Sequence, residues 1–153
     1  MTLDSQDRAI LRALQLEGRL PNSALAERVS LSESACLRRV RALEESGLIE
    51  GYTAILSQRR AGLATNVFVN ITLDRQDEED LRAFEDAVQK LPEVMECYLM
   101  TGDFDYLLRV VVADMDDFER VHAKHLTRLP GVARVHSSFA LRTVRKSREL
   151  PIR

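Results

Sequence analysis

The sequence contains few cysteines, no long apolar run and no large excess of charge of either sign. Its two cysteines, Cys36 and Cys97, lie 61 positions apart without a Cys-x-x-Cys pair, which argues against a disulfide framework or a zinc site. No apolar run reaches the roughly 18 residues of a membrane-spanning helix. The first residues show no basic segment followed by an apolar one, so we expect no signal peptide and a reducing, cytoplasmic location. We expect no metal and no cofactor.

Charge is balanced over the whole chain but differs between its two parts. The 22 basic and 24 acidic residues give a net charge of −2, which argues against an indiscriminate polycation. Residues 1–60 carry nine Arg and eight acidic residues, whereas residues 61–153 carry 13 basic and 16 acidic ones. With 45% apolar and 30% charged residues, the composition is typical of a soluble globular protein and excludes disorder and fibres. We expect two small domains, over residues 1–60 and 61–153.

The first domain has the pattern of three helices. Asp4 is a suitable N-cap for a first helix that ends before Gly18. Asn22 is the predicted N-cap of a short second helix. The third helix is predicted over residues 32–46, with Ser32 as its N-cap. Only about three residues separate the second helix from the third, so the two are joined by a tight turn.

The third helix carries small and basic side chains on its outward side. These residues are Ser34, Ala35, Arg38, Arg39, Arg41 and Ala42. A tight turn followed by such a helix is typical of a helix-turn-helix that enters the DNA major groove. A solvated basic face on a small helical bundle is the alternative that the pattern leaves open. The alternating residues 48–56 that follow predict a short hairpin, or wing.

The second domain contains a repeat. After a polar linker, Leu91-Pro92-Glu93-Val94 returns 38 positions later as Leu129-Pro130-Gly131-Val132, and in both places a helix ends before the proline and a strand begins at the valine. The predicted elements are strands over residues 66–73, 94–101, 106–113 and 132–144 and helices over residues 74–90 and 116–127. Their order, βαββαβ, predicts a four-stranded antiparallel sheet with two helices on one face, a ferredoxin-like arrangement.

The fold class is therefore α+β, with an N-terminal winged helix-turn-helix and a C-terminal ferredoxin-like domain. Six apolar residues lie on two of the strands. Because side chains of a strand alternate between its two faces, we expect that not all six face the helices. They are Val67, Val69, Ile71, Leu108, Val110 and Val112. We expect that some lie on the bare face of the sheet and that dimerisation covers them.

Several segments carry a resemblance to a known family. They are Leu3-Asp4 with Asp7 and Ile10-Leu11, residues 22–32, the run RRVRALEESGLIEGY at residues 38–52, GDFDY at residues 102–106 and SSFAL at residues 137–141. On these segments and on the order of its domains, nearly the whole chain resembles the Lrp/AsnC family of bacterial transcriptional regulators, also called feast/famine regulators.

The resemblance implies a transcription factor that dimerises through its C-terminal domain, commonly assembles into an octamer of four dimers, and changes its DNA binding or assembly with a small ligand, typically an amino acid. It implies that the third helix reads double-stranded DNA through Ser32, Ser34, Arg38 and Arg39. It also implies an effector site between dimers. The residues of that site are Met100, Thr101, Gly102, Asp103, Phe104, Asp105, His136 and Ser138.

The sequence departs from the family pattern at two places. Leu56-Ser57-Gln58 stands where Leu-Asp-Pro is common, and Cys36 stands where Pro, Thr or another small residue is common. Cys36 lies near a helix N-terminus and close to two Arg, features that lower a thiol pKa, and a redox switch on DNA binding is one interpretation. Simple packing is the favoured interpretation of Cys36, and Cys97 is expected to be a packing residue.

Three further groups each have two interpretations. Asp103 and Asp105 form either an acid/base or metal pair or, as favoured, part of a hairpin turn that binds an effector. His122 and His125 are a weak zinc motif and are better explained as surface residues. The basic tail either touches DNA phosphates or is solvated. Its residues are Arg142, Arg145, Lys146 and Arg148.

We therefore expect a sequence-specific DNA-binding regulator that responds to a small molecule, with an amino acid as the favoured effector, and not an enzyme. Two other classes stay open. Siroheme decarboxylases resemble the same family in both domains, and His122, His125 and His136 are the only histidines that would anchor a tetrapyrrole. An architectural DNA-binding protein without a ligand response is the other.

Overall fold

The computed structural model describes residues 2–153 and divides them into two compact units. The first unit contains the residues up to Ile55 together with Val144–Arg153, and the second contains Leu56–Thr143. The division expected from the sequence fell at residues 60 and 61, so the first change of unit lies close to it. The last ten residues, however, belong to the first unit rather than to the second.

The first unit contains the three predicted helices. They are α1 (Ser5–Leu16), α2 (Asn22–Arg28) and α3 (Glu33–Glu45). A capping box begins α1, because the Asp4 carboxylate accepts the Asp7 N–H at 2.8 Å and the Asp7 carboxylate accepts the Asp4 N–H at 3.2 Å. Ser32 caps α3 by accepting the Ala35 N–H at 3.2 Å. Gly47, with a φ of 76°, follows α3 in the left-handed conformation that ends many helices.

The predicted cap of α2 is wrong. Pro21 occupies the N-cap and no side chain accepts a backbone N–H there. The Asn22 side chain donates instead to the Glu33 carbonyl at 2.9 Å, so that it links the start of α2 to the start of α3. All three helices contribute to one buried core, in which Ile10, Leu25 and Leu43 are almost inaccessible to solvent.

Residues 48–56 form no strand, so the predicted hairpin is wrong. The first part of this segment is bound to the end of α3 instead of to a second strand. The Ile49 N–H donates to the Leu43 carbonyl at 3.2 Å, and the Tyr52 hydroxyl donates to the Glu44 carboxylate at 2.9 Å. Burial and this hydrogen bond to an anion raise the pKa of Tyr52 to about 12. The segment therefore follows α3 as an ordered loop.

The second unit confirms the predicted order βαββαβ. Its elements are β1 (Thr65–Leu73), α4 (Glu78–Val88), β2 (Val94–Leu99), β3 (Tyr106–Val112), α5 (Met115–Lys124), a short 3-10 turn (Leu126–Arg128) and β4 (Val132–Phe139). The four strands form one antiparallel sheet in the order β2-β3-β1-β4. The strand β4 ends five residues before its predicted end, and the chain beyond Thr143 belongs to the first unit.

The expectation that apolar strand residues must lie on both faces of the sheet is wrong. Val67 pairs with Val110, and Val69 pairs with Leu108. Because directly paired residues of antiparallel strands point to the same face, alternate residues of β1 and β3 all face α4 and α5. All six of the residues in question are fully buried in this one core. Phe84 of α4 stacks in it on Tyr106, with ring centres 4.4 Å apart.

Along each strand, the residues between the core residues point to the other face of the sheet, which carries both polar and apolar side chains. Phe68 and Tyr98 are 40% and 53% exposed on it. Arg109 crosses this face between Glu96, at 3.3 Å, and the side-chain oxygen of Asn66, at 3.1 Å. No helix among residues 2–153 is long and apolar enough to cross a bilayer.

Candidate functional site

One side of α3 is open to solvent and carries two unshielded guanidinium groups. Ser34, Arg38 and Arg41 recur at intervals of four and three residues, so that they lie one above the other along the helix. All three are exposed, and they border a shallow groove together with Leu37, Ala42 and Glu45. The opposite side of α3 is buried through Cys36 and Leu43. This surface therefore combines small side chains with positive charge, as a helix that reads a DNA groove requires.

The start of α3 adds hydrogen-bond donors to the same surface. Ser32 and Ser34 are exposed, and their hydroxyl oxygens lie 3.4 Å apart. The Ser32 oxygen accepts a backbone N–H as the helix cap, which leaves its own hydroxyl hydrogen available to donate. The unpaired N–H groups at a helix N-terminus also favour an anion such as a phosphate.

Arg39 lies on a different side of α3 from Arg38. Its Nη1 atom lies 2.7 Å from an oxygen of Asp4 and 2.7 Å from an oxygen of Asp7, the two residues of the α1 capping box. The backbone N–H of Asp7 and then Arg39 lower the pKa of the Asp4 carboxyl group below its usual value. Arg39 thus joins the third helix to the beginning of the first, and its predicted contact with DNA stays a prediction that competes with this role.

Cys36 does not have the environment of a reactive thiol. Its side chain is fully buried among the three helices, and this burial raises the pKa of the thiol. The pKa of Cys97, which is partly buried, is raised to about 11 by burial and by Glu85. The structure therefore supports the packing interpretation of both cysteines.

The predicted effector residues fall into two groups in the second unit. Residues 100–105 form the loop between β2 and β3, where the Met100 N–H donates to the Asp105 carbonyl at 2.8 Å. Gly102 adopts a φ of 116°, which a residue with a side chain rarely takes. Asp103 is exposed and Phe104 is partly buried. The loop is thus a tight hairpin turn that presents a carboxylate to solvent.

Asp105 is occupied within the chain and does not pair with Asp103. Its carboxylate accepts the Leu73 N–H at 2.7 Å, and its own N–H donates to the Ile71 carbonyl at 2.9 Å. Both partners belong to the end of β1, so Asp105 fixes the hairpin to the neighbouring strand. This arrangement agrees with the turn interpretation rather than with an acid/base pair.

The second group of predicted effector residues lies on β4. His136 is opposite Asn70 of β1, and Ser138 is opposite Phe68, which places both on the face of the sheet that carries no helices. Because β1 lies between β3 and β4, this group and the hairpin come from different parts of the sheet. Within one chain, β1 therefore lies between the two groups of predicted effector residues.

The three histidines do not form one anchoring site for a tetrapyrrole. His122 lies on α5 beside Phe118, with ring centres 5.9 Å apart, and His125 follows the same helix. His136 is on the opposite, helix-free face of the sheet. Within residues 2–153 no three His, Cys, Asp or Glu side chains are grouped so as to hold a metal ion.

Sequence patterns predict only part of the site. The spacing of three between Arg38 and Arg41 predicts that both lie on one surface of the helix. The link between Arg39 and the first helix joins residues 32 and 35 positions apart, which no local pattern predicts. The same holds for the hydrogen bonds from Arg12 and Gln15 of α1 to the carbonyl oxygens of Ile152 and Leu150.

Known proteins resemble the chain along its whole length. The family model of the Lrp/AsnC ligand binding domain matches residues 66–150, and that of a winged helix-turn-helix DNA-binding domain matches residues 3–50. The leucine-responsive regulatory protein of Escherichia coli is 44% identical over 151 residues, which are 99% of this chain and 92% of that protein. An uncharacterized HTH-type transcriptional regulator of Sinorhizobium fredii is 53% identical over 116 residues, 76% of this chain and 91% of the relative.

Solved structures give the same result. A transcriptional regulator from Neisseria meningitidis in complex with L-Met has a TM-score of 0.93 and 39% identity, covering 98% of this chain and 97% of that one. An AsnC family transcriptional regulator from Agrobacterium tumefaciens has a TM-score of 0.93 and 37% identity, with 97% of each chain covered. With its helix-turn-helix unit and its ligand-binding domain both matched, the chain belongs to the Lrp/AsnC family of DNA-binding transcriptional regulators.

Proposed function

We propose that the protein binds specific DNA sequences through α3 and that an amino acid changes this binding or the assembly of the protein. The solvent-exposed surface of α3 carries the first half of the proposal, because it aligns Ser34, Arg38 and Arg41 above a helix start capped by Ser32. Arg forks onto guanine or phosphate, while small side chains let the helix approach the base edges. Arg39 has a positioning role, since its guanidinium group is held by two carboxylates of the same unit.

DNA binding is tested with a duplex taken from upstream of the protein's own gene and a duplex of scrambled sequence. We expect the first to bind more tightly in fluorescence anisotropy titrations, and Arg38→Ala to weaken its binding. Arg82→Ala is the matched control, because Arg82 is an exposed arginine of α4 in the second unit. Equal affinity for both duplexes under all conditions would favour an architectural protein instead.

The proposed effector site lies between copies of the chain, with the β2–β3 hairpin of one copy opposite His136 and Ser138 of another. The exposed carboxylate of Asp103 suits the amino group of a free amino acid, and backbone N–H groups of the loop suit its carboxylate. A bridging site is consistent with the separation of the two groups in one sheet. A regulator of similar fold holds L-Met, which supports an amino acid as the class of ligand.

The effector proposal is tested by titrating each of the twenty amino acids into the protein–DNA complex and into the free protein. At least one is expected to shift DNA affinity or the mass measured by light scattering, and Asp103→Asn is expected to reduce that response. Asp105→Ala is the comparison, because it removes the carboxylate that accepts the Leu73 N–H and is therefore expected to act on stability. If the protein binds DNA but responds to none of the amino acids, the proposed sensor role is refuted and the proposed DNA binding is retained.

We also propose that the protein is a homodimer through its second unit and that four dimers form an octamer. The helix-free face of the sheet is the proposed dimer surface, since it leaves Phe68 and Tyr98 exposed. Several linked DNA-binding units raise the effective concentration of each at its site, so that individually weak contacts give tight binding. Phe68→Glu is expected to reduce the mass in light scattering. An unchanged mass would place the contact elsewhere.

A further inference from the structure

The C-terminal segment, residues 144–153, is docked along α1 by paired hydrogen bonds. The Gln15 side chain donates to the Leu150 carbonyl at 3.2 Å and accepts the Leu150 N–H at 2.6 Å. Arg12, about one turn earlier, donates to the Ile152 carbonyl at 3.1 Å. The donors advance along α1 from Arg12 to Gln15, while their acceptors go back along the segment from Ile152 to Leu150. The segment therefore runs antiparallel to α1.

The same segment is also anchored by apolar contact and lies beside the loop that follows α3. Ile152 packs against the core of the first unit. Arg148 and Leu150 line a cleft whose other wall includes residues 48–52. Tyr52 of that wall is bound to Glu44 of α3 at 2.9 Å. A continuous set of contacts thus connects the C-terminal segment to the helix that is proposed to read DNA.

Docking changes the charge of the first unit. Its residues 1–55 contain seven Arg and eight acidic side chains, for a net charge of −1. The C-terminal segment contains four basic side chains and one acidic one, for a net charge of +3. The complete unit therefore has a net side-chain charge of +2. A polyanionic duplex attracts a unit of this charge, whereas the helices alone offer it no net attraction.

We propose that the C-terminal segment is a second DNA-binding element, which supplies Arg145, Lys146 and Arg148 to backbone phosphates while α3 occupies the groove. All three side chains are exposed, so docking of the segment does not consume them. Residues 150–153 are the anchor, and these three basic residues precede it. Phosphate contacts are independent of sequence, so this element adds affinity without adding specificity. The inference rests on the proposed DNA binding by α3.

The test measures how DNA affinity depends on salt for three versions of the full chain. The charge variant is R145Q/K146Q/R148Q, which leaves the anchor intact. The control variant, R75Q/K90Q/K124Q, removes the same charge from exposed positions of the second unit. Because each lost phosphate contact lowers the slope of log affinity against log salt by about 0.9, the charge variant is expected to lose a slope of about 1 to 3 per bound chain. The loss is expected to be equal on specific and scrambled duplexes.

An undocked variant separates the anchor from the charges. Q15A/I152S keeps every basic side chain of the segment, and we expect it to lose part of the same slope. A slope that matches the wild type in the charge variant, or an equal loss in the control variant, overturns the inference. If the wild-type protein binds neither duplex, the proposed function itself fails, and this outcome differs from failure of the second element alone. Circular dichroism melting confirms that the charge variant is folded.

Discussion

The two neighbouring arginines of α3 are expected to differ sharply when each is replaced by alanine. Arg38 is exposed on the outward surface, whereas Arg39 is held at 2.7 Å by Asp4 and by Asp7. We therefore expect Arg38→Ala to weaken DNA binding without loss of stability. Arg39→Ala is expected to lower the melting temperature of the first unit while leaving the salt dependence of DNA binding unchanged.

The size of the Arg38 effect follows from the release of counterions. One phosphate contact contributes about 0.9 to the slope of log affinity against log salt. Over a fourfold range, from 50 to 200 mM salt, one such contact is therefore worth about a 3.5-fold change in affinity. The proposed dimer would present two copies of Arg38, for which the expected loss of slope is about 1.8, or roughly 12-fold over the same range.

The assay is a series of anisotropy titrations at four salt concentrations, with thermal melting of each variant in the same buffers. A contact of Arg38 with guanine gives a related but distinct result, since affinity then falls more on the specific duplex than on the scrambled one. Arg39→Lys is an informative partner, because it keeps the charge but replaces the planar guanidinium group, whose Nη1 atom contacts both carboxylates, with a compact ammonium group. The proposed difference between the two arginines is refuted if Arg39→Ala lowers the slope as much as Arg38→Ala does and leaves the melting temperature unchanged.

Three further predictions concern stability and reactivity. Phe84→Ala removes the ring stacked on Tyr106 and is expected to lower the free energy of unfolding of the second unit by about 3–5 kcal/mol, measured in urea. A decrease of less than about 1 kcal/mol would contradict the described core. At pH 7 Cys36 and Cys97 are expected to react slowly with Ellman's reagent until the protein is unfolded, because burial raises both pKa values; rapid labelling of the native protein would restore the redox hypothesis. The pKa of Asp4 is lower in the folded protein than its value of 3.8 in the unfolded chain, so the charged carboxylate adds stability above pH 3.8, which is lost as the pH falls through the folded pKa. The melting temperatures of wild type and Asp4→Ala are therefore expected to converge below about pH 4. A difference that stays constant with pH would contradict this.

The sequence predicted the elements of the fold well where the determining interactions are local. The cap at Ser32 and the prolines that end two helices act within a few residues, and the structure contains the corresponding boundaries. The prediction of a hairpin at residues 48–56 is wrong because an alternating pattern does not identify the partner of a strand. The segment forms hydrogen bonds with the end of α3 instead of with a second strand. The prediction that apolar residues lie on both faces of the sheet is wrong because the cross-strand register, which pairs Val69 with Leu108, places the apolar residues of both strands on one face.

The candidate site was predictable only in part, for the same physical reason. The outward residues of α3 follow from helical spacing, so the alignment of Arg38 with Arg41 is contained in the sequence. The partner of Arg39 lies more than 30 positions away, and Gln15 is separated from Leu150 by 135 positions. Neither contact is recorded by a local periodicity, and the second also depends on the return of the chain after the whole second unit has intervened.

The docking of the C-terminal segment on α1 also affects how the protein is made. A ribosome releases the helices of the first unit long before residues 144–153, because the entire second unit is translated in between. Domains fold as their sequence emerges, so the early helices are exposed to the cell with the groove along α1 unfilled. The DNA-binding unit is complete only when synthesis is nearly over, and a chain truncated by premature termination lacks part of it even though all three helices are present.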